Sequence, residues 1–182
     1  FRNVVEGTSD APLQKTIAVS HFVSGWLELD PQNLKGGIQG ELEVDMRSFE
    51  MEPPSALLKW RETILNVQEF PVATYKVDKI LETSGKELVA GKTVSGEVSG
   101  ILLVRGVSRR QPMRVKATYL PESEWTKKRS SGNLLKVSAS FDLALSDVKV
   151  VLPEAMQGLV ASHLKVGMDL VGTDQLPVGP TP

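Results

Sequence analysis

The sequence predicts one all-β domain of about eight antiparallel strands. Apolar and polar residues alternate with a period of two in several separate segments, as they do in strands with one buried and one solvated face. Clusters of Gly, Pro, Asn, Asp and Ser, which favour tight turns, separate these segments. The chain has 182 residues, of which 41% are hydrophobic, and this is enough for one ordinary core.

The clearest alternation lies in residues 37–49, where Ile38, Leu42 and Val44 share one face and acidic or amide side chains occupy the other. Four further segments repeat this pattern: 94–104, 113–119, 135–145 and 164–170. Less regular stretches predict three more strands, over 15–23, 25–29 and 73–81. Buried parallel strands would instead read as continuous apolar runs, so the sheet is predicted to be antiparallel.

One segment has helical rather than strand spacing. Leu57, Trp60 and Ile64 follow two prolines at intervals that predict a short α-helix over residues 55–66, with Ser55 as the N-cap. A second helical turn is predicted after Pro153. The predicted domain therefore covers residues 1–175, and the Pro- and Gly-rich residues 176–182 are predicted to form a flexible tail.

Eight strands can close into a barrel or pack as a sandwich. An eight-stranded barrel is either just filled by its own side chains or holds one small ligand. Gly40, Gly96 and Gly100 lie in line with the apolar faces of their strands, where glycine either makes room or allows a bend. Periodicity does not separate a filled core from a lined cavity.

The composition removes several classes of function. The chain has no Cys, which excludes disulfides, thiolate metal sites and thiol nucleophiles. A net charge of -1 disfavours nucleic-acid binding. The two histidines, His21 and His163, have no metal-ligand spacing, and the sequence lacks the Gly-x-Ser-x-Gly motif and phosphate-binding loops. We therefore predict no enzymatic activity, no metal and no cofactor.

Two features of the sequence bear on where the protein is located. The sequence begins at Phe1 without a Met, as a trimmed or processed precursor would. No apolar run approaches the roughly 18 residues that a membrane-spanning helix needs.

Four segments in order resemble the YceI-like family of bacterial periplasmic proteins. They are Phe22–Pro31, Ile38–Phe49, Trp60–Lys76 and Val94–Pro112, which contains Gly-Val-Ser followed by Pro. The resemblance covers roughly residues 10–174 and implies a lipocalin-like antiparallel eight-stranded barrel around an elongated cavity for an isoprenoid or another long-chain amphiphile. It also implies a periplasmic or secreted location. The segments 67–70 and 144–149 depart from the family pattern, so ligand identity does not transfer.

The resemblance assigns roles to inward-facing apolar residues, each of which can equally be plain core. The residues expected to line the lumen are Leu42, Val44, Tyr75, Val77, Leu102, Val104, Val115, Ala117, Val137, Ala139, Phe141, Val166 and Met168. Trp60, Phe70 and Met156 are expected at a lid or mouth. The basic residues Arg105, Arg109, Arg110 and Arg114, with Lys116, are headgroup candidates or a solvated hairpin edge.

Two hypotheses follow. The first is a carrier that holds one lipid-like ligand inside the barrel, with the helix over residues 55–66 gating one end. The second is a non-catalytic structural barrel with a filled core that acts through a protein partner. Neither hypothesis involves nucleic acid or a transmembrane segment, and contact with a membrane surface and oligomerisation stay open.

Overall fold

Ten strands of one antiparallel sheet account for most of the chain in the computed structural model, which describes residues 3–175. The strands are β1 (Val4–Asp10), β2 (Lys15–Ser20), β3 (Val23–Leu29), β4 (Ile38–Asp45), β5 (Glu50–Glu52), β6 (Val72–Thr83), β7 (Thr93–Val104), β8 (Val107–Leu120), β9 (Leu134–Ala144) and β10 (His163–Thr173). Their order in the sheet is β3-β4-β6-β7-β8-β9-β10-β1-β2-β5. The predicted tail, residues 176–182, lies outside the described residues.

The all-β antiparallel class is confirmed, and the predicted count of eight strands is wrong. The sequence pattern missed β1 because its inward positions are Val5, Gly7 and Ser9, which do not form an apolar face. It missed β5 because that strand has three residues. The segment predicted as one strand over 15–23 ends at Ser20.

The two edges of the sheet belong to one bent ribbon. β2 continues into β3 through two residues, and β4 continues into β5 through the 3-10 turn Met46–Ser48. β5 pairs with β2, and β3 pairs with β4. The two ladders are therefore consecutive parts of one two-stranded antiparallel ribbon. Because β2 also pairs with β1 and β4 also pairs with β6, the ribbon curls the sheet into a half-barrel.

The helical insertion between β5 and β6 is present but irregular. It consists of a 3-10 turn at Pro54–Ala56, the single α-helical turn α1 (Leu57–Lys59) and a π-helical segment at Trp60–Leu65. Ser55 lies inside the 3-10 turn and does not cap it, which corrects the prediction. Asn66, in a left-handed conformation with φ of 47°, ends the insertion.

Four other helical pieces lie in loops within residues 3–175, and two of them are 3-10 helices at Leu34–Gly36 and Leu145–Val148. The turn predicted after Pro153 is a 3-10 helix at Glu154–Met156. The short helix α2 (Glu124–Lys127) was not predicted, although Ser123 and Thr126 form a capping box at its start.

The core lies on the inner face of the half-barrel and beneath the insertion. Buried side chains from nearly every strand form one continuous cluster, which Trp60 and Ile64 of the insertion join from above. The period-two faces identified in the sequence point inward, so strand alternation places one continuous apolar wall around the interior.

Gly96 and Gly100 allow neighbouring strands to approach closely. A Cβ atom at Gly100 would lie 2.2 Å from the carbonyl oxygen of Lys76, and one at Gly96 would lie 2.3 Å from that of Glu82. Both glycines face the stretch of β6 where the register with β7 shifts twice. The structure therefore favours the bend interpretation of these glycines over the interpretation that they make room for a ligand.

Candidate ligand-binding site

An apolar cavity of about 120 Å³ lies inside the half-barrel, beneath the helical insertion. Most of its wall comes from inward-facing residues of the strands, and the insertion and the turn after β4 supply the rest. Its lining residues are Val5, Glu6, Gly7, Ala18, Leu42, Val44, Met46, Phe49, Trp60, Leu65, Ala73, Thr74, Tyr75, Leu102, Val104, Met113, Phe141, Leu143, Leu164, Val166 and Met168.

Trp60 and Leu65 close the cavity from the insertion. Trp60 is 4% exposed, although its neighbours Lys59 and Glu62 face solvent. The Arg61 guanidinium holds the insertion in place, because its Nη2 donates hydrogen bonds to the carbonyl oxygens of Arg47 at 2.7 Å and Phe49 at 3.2 Å. The insertion is therefore tied to the chain segment that enters β5.

Eight of the thirteen residues expected in the lumen line this cavity: Leu42, Val44, Tyr75, Leu102, Val104, Phe141, Val166 and Met168. The other five lie outside its lining: Val77, Val115, Ala117, Val137 and Ala139. These five are half-buried, and two of them, Val115 and Ala139, border a second hollow. Their proposed contact with a ligand stays a prediction, as does that of the eight.

Several lining residues were missed by the sequence reasoning. Met113, Leu143 and Leu164 lie on faces whose alternation had been recognised, so extending those faces would have found them. Val5 and Gly7 belong to the unpredicted strand β1, and no periodic signal marks them.

The three residues expected at the lid occupy different places. Trp60 lines the cavity. Phe70 is half-buried outside the lining, and its ring lies against Gly106, where an added Cβ would come within 2.7 Å of it. Met156 is buried in the core cluster and also lies outside the lining.

The basic residues proposed for a headgroup do not converge. Arg109 pairs with Leu102 across β7 and β8 and forms an ion pair with Asp147. Arg110, on the opposite face, donates two hydrogen bonds of 2.8 Å to the Asp78 carboxylate. These bonds lower the pKa of Asp78, which stays ionised. Alternation along one strand thus separates the charges that the sequence brings together.

Arg105 and Arg114 lie further apart still. Arg105, with φ of 51°, and Gly106 form the tight turn between β7 and β8. Arg114 and Lys116 border the second hollow, of about 580 Å³, whose wall also includes Ser138, Ser140 and Asp169. The structure therefore does not bring the four arginines together in one place, and their contact with a headgroup stays a prediction.

Two polar side chains lie at the apolar wall. The Tyr75 hydroxyl, which belongs to a cavity-lining residue, donates a hydrogen bond of 2.9 Å to the carbonyl oxygen of Gln111. Burial raises the pKa of Tyr75 to about 12, so this hydroxyl keeps its proton at neutral pH. Gln111 is 5% exposed, and its side-chain oxygen has no hydrogen-bond partner within residues 3–175.

The histidines form no catalytic arrangement with each other. His21 Nδ1 lies 2.9 Å from the carbonyl oxygen of Asn3, and His163 Nδ1 lies 3.0 Å from the hydroxyl of the neighbouring Ser162. Across residues 3–175, no group of three or more His, Cys, Asp or Glu side chains is placed to hold a metal ion. In the same part of the chain, no helix is long and apolar enough to cross a membrane.

The family model for a YceI-like domain matches residues 9–171. The chain belongs to the YceI-like family. No curated protein sequence matches it. Its likeness to solved structures extends over nearly its whole length.

Three solved structures share the YceI-like fold at low identity. Burkholderia cenocepacia BcnA is 17% identical, with a TM-score of 0.66, and the match covers 94% of this chain and 96% of BcnA. A polyisoprenoid binding domain from Saccharophagus degradans, implicated in plant cell wall breakdown, is 15% identical, with a TM-score of 0.68 and coverages of 93% and 92%. The Campylobacter jejuni YceI protein is 12% identical, with a TM-score of 0.64 and coverages of 85% and 82%. These likenesses establish the fold alone.

Proposed function

We propose that this protein is a non-catalytic carrier that binds a long-chain amphiphile, an isoprenoid or a fatty-acid-like lipid, in the interior of its half-barrel. The observation that carries the proposal is the buried apolar cavity closed by Trp60. Apolar surface that a ligand removes from water there contributes about 25 cal/mol per Å². The Saccharophagus neighbour is a polyisoprenoid binding domain, which supports the same ligand class.

The cavity must widen to accept such a ligand. Its volume of about 120 Å³ is below the roughly 300–1,000 Å³ of ordinary small-molecule sites. Three of the five methionines, Met46, Met113 and Met168, line it. Because methionine side chains are unbranched and flexible, this wall can rearrange around a chain more easily than one built from Val and Ile.

The same small volume favours the second candidate, a structural barrel with a filled core that acts through a protein partner. In that case Met46, Met113 and Met168 are core residues that complete the packing. The two functions differ in whether a lipid chain reaches Trp60.

Tryptophan fluorescence tests this difference. Trp60 is 4% exposed at the cavity, whereas Trp26 and Trp125 are 56% and 69% exposed. We expect dibromostearate to quench Trp60 in a saturable way, because bromine atoms on the bound chain would lie next to its ring. The double variant Trp26→Phe, Trp125→Phe should keep the quenching, and Trp60→Phe should remove it.

Unbrominated stearate serves as the control for nonspecific effects of the lipid. Quenching that stays linear in lipid concentration, or that persists in Trp60→Phe, would reject the carrier and favour the filled barrel. The proposal also includes a periplasmic or secreted location and leaves contact with a membrane surface and self-association open. Fractionation of cells that express the protein from its native gene tests the location.

A further inference from the structure

An unpaired acceptor lies directly behind the cavity lining: Gln111 is not itself a lining residue, but its neighbours Tyr75 and Met113 are. Gln111 is buried between Arg110 and Pro112, which are both exposed, so strand alternation turns its side chain toward the interior. The next inward residue on β8 is Met113, which lines the cavity. Tyr75, the other neighbour that lines the cavity, donates a hydrogen bond from its hydroxyl to the main-chain carbonyl oxygen of Gln111.

The hydrogen bonds of the Gln111 amide fix which of its atoms is unpaired. Nε2 donates a hydrogen bond of 2.9 Å to the carbonyl oxygen of Pro112, and within residues 3–175 Oε1 has no donor. Reversing the amide would place an oxygen against that carbonyl oxygen and leave the NH2 group without the bond. A buried acceptor without a donor has lost its hydration and gained no hydrogen bond in return, so the position is unusual for a residue that serves packing alone.

The two arginines that directly precede Gln111 on β8 are already paired. Arg109 forms its ion pair with Asp147, and Arg110 binds Asp78 on the other face of β8. No Lys or Arg belongs to the cavity lining within residues 3–175. An anionic phosphate at this wall would lose its hydration without gaining a free cation in return.

From these contacts we infer that the polar end of the bound molecule is a neutral hydroxyl that donates a hydrogen bond to Oε1 of Gln111. The inference rests on the proposed carrier function and specifies its ligand as a long-chain alcohol. Gln111 is then a specificity-determining residue: it selects the alcohol against the ether, the hydrocarbon and the phosphate of the same chain.

Competition against a fluorescent fatty probe tests the inference with geranylgeraniol, its methyl ether and its monophosphate. The methyl ether keeps the chain and the oxygen and removes the donated proton. We expect wild-type protein to bind the alcohol about two- to tenfold more tightly than the ether, which is the range for one hydrogen bond. We expect it to bind the phosphate more weakly than the alcohol. Hexadecan-1-ol and its methyl ether repeat the comparison for a straight chain and distinguish an isoprenoid from a fatty alcohol.

Gln111→Met tests whether this residue makes the distinction. Methionine has nearly the same shape and no acceptor of comparable strength, so alcohol and ether should bind this variant equally. Gln39→Met makes the same change at an exposed site on β4 and should keep the wild-type preference. Thermal unfolding verifies the fold, and Gln111→Met should unfold at the same temperature as wild type or higher, because the unpaired acceptor is gone.

The outcomes separate this inference from the proposed function. Equal binding of alcohol and ether by wild type, tighter binding of the phosphate, or an unchanged preference in Gln111→Met would overturn the hydroxyl inference and leave the carrier standing. Failure of every chain, including the fluorescent probe, to bind would overturn both.

Discussion

Single residues in the strands determine how closely neighbouring strands approach. Gly100 shows this most clearly, because a Cβ there would lie 2.2 Å from the backbone oxygen of Lys76, an atom that cannot rotate away. Sequence alternation predicted correctly that Gly100 shares the apolar face of its strand. It did not show whether the missing side chain would have met a ligand or a neighbouring strand, because that depends on the β6 register shifts.

Gly100→Ala should therefore destabilise the protein. We expect a loss of about 1–3 kcal/mol in the free energy of unfolding, since the backbone of β6 must move to accept the methyl group. Chemical denaturation monitored by circular dichroism measures it.

Gly167→Ala is the matched control, because the same substitution in β10 meets nothing within 4 Å. Its effect should stay within about 0.5 kcal/mol. Equal effects of the two substitutions would contradict the close-approach explanation.

At the scale of elements, the sequence predicted the position of the helical insertion correctly but not its type of helix. The spacing of Leu57, Trp60 and Ile64 located it, since an apolar stripe marks any helix that packs on a core. The stripe did not reveal the 3-10 and π-helical geometry, which depends on tertiary contacts such as the hydrogen bonds from Arg61. The separation of the arginines on β8 was predictable, because residues of odd and even number along a strand face opposite ways.

Arg61 ties the helical insertion to the chain segment before β5. Arg61→Met should therefore make the insertion open more often. Hydrogen bonds from a charged group contribute about 1.5–3 kcal/mol each, so the variant should exchange the amide hydrogens of residues 54–66 at least tenfold faster. Hydrogen exchange with mass spectrometry measures this.

Lys59→Met changes an exposed neighbour in the same insertion and should leave the exchange rates unchanged. Unaltered protection of residues 54–66 in Arg61→Met would show that packing of Trp60 and Ile64 alone holds the insertion.

For the whole molecule, the sequence predicted the class of fold but not the strand pairing that curls the sheet into a half-barrel. Period-two alternation is local and identifies strands one at a time. The ribbon made from β2–β3 and β4–β5 depends on pairings between residues about 30 apart, such as Ala18 with Met51, which no local pattern encodes. The prediction of one domain over residues 1–175 likewise stays a prediction until its cooperativity is measured.

One domain should unfold in one step. We expect the Trp60 fluorescence of the Trp26→Phe, Trp125→Phe variant and the far-ultraviolet circular dichroism to report the same denaturation midpoint. Ser48→Ala, made in that variant, should lower the free energy of unfolding by about 1–3 kcal/mol, and by the same amount with either signal. The reason is that it removes the 2.6 Å hydrogen bond to the buried Ser20 hydroxyl at the bend of the ribbon.

Ser131→Ala is a suitable control in an exposed loop and should leave the midpoint in place. Separate midpoints for the two signals would show that the insertion and the sheet unfold as independent units.

β3 lies at one edge of the sheet. Within residues 3–175 it has a hydrogen-bonded strand on one side, its seven residues include one charge, Glu28, and it leaves Trp26 56% exposed. Such an edge is a template on which another extended chain can add itself, and charges or prolines are the usual protection. We therefore expect addition of another chain to β3 to limit the concentration at which this protein can be stored, however stable the rest of the half-barrel is.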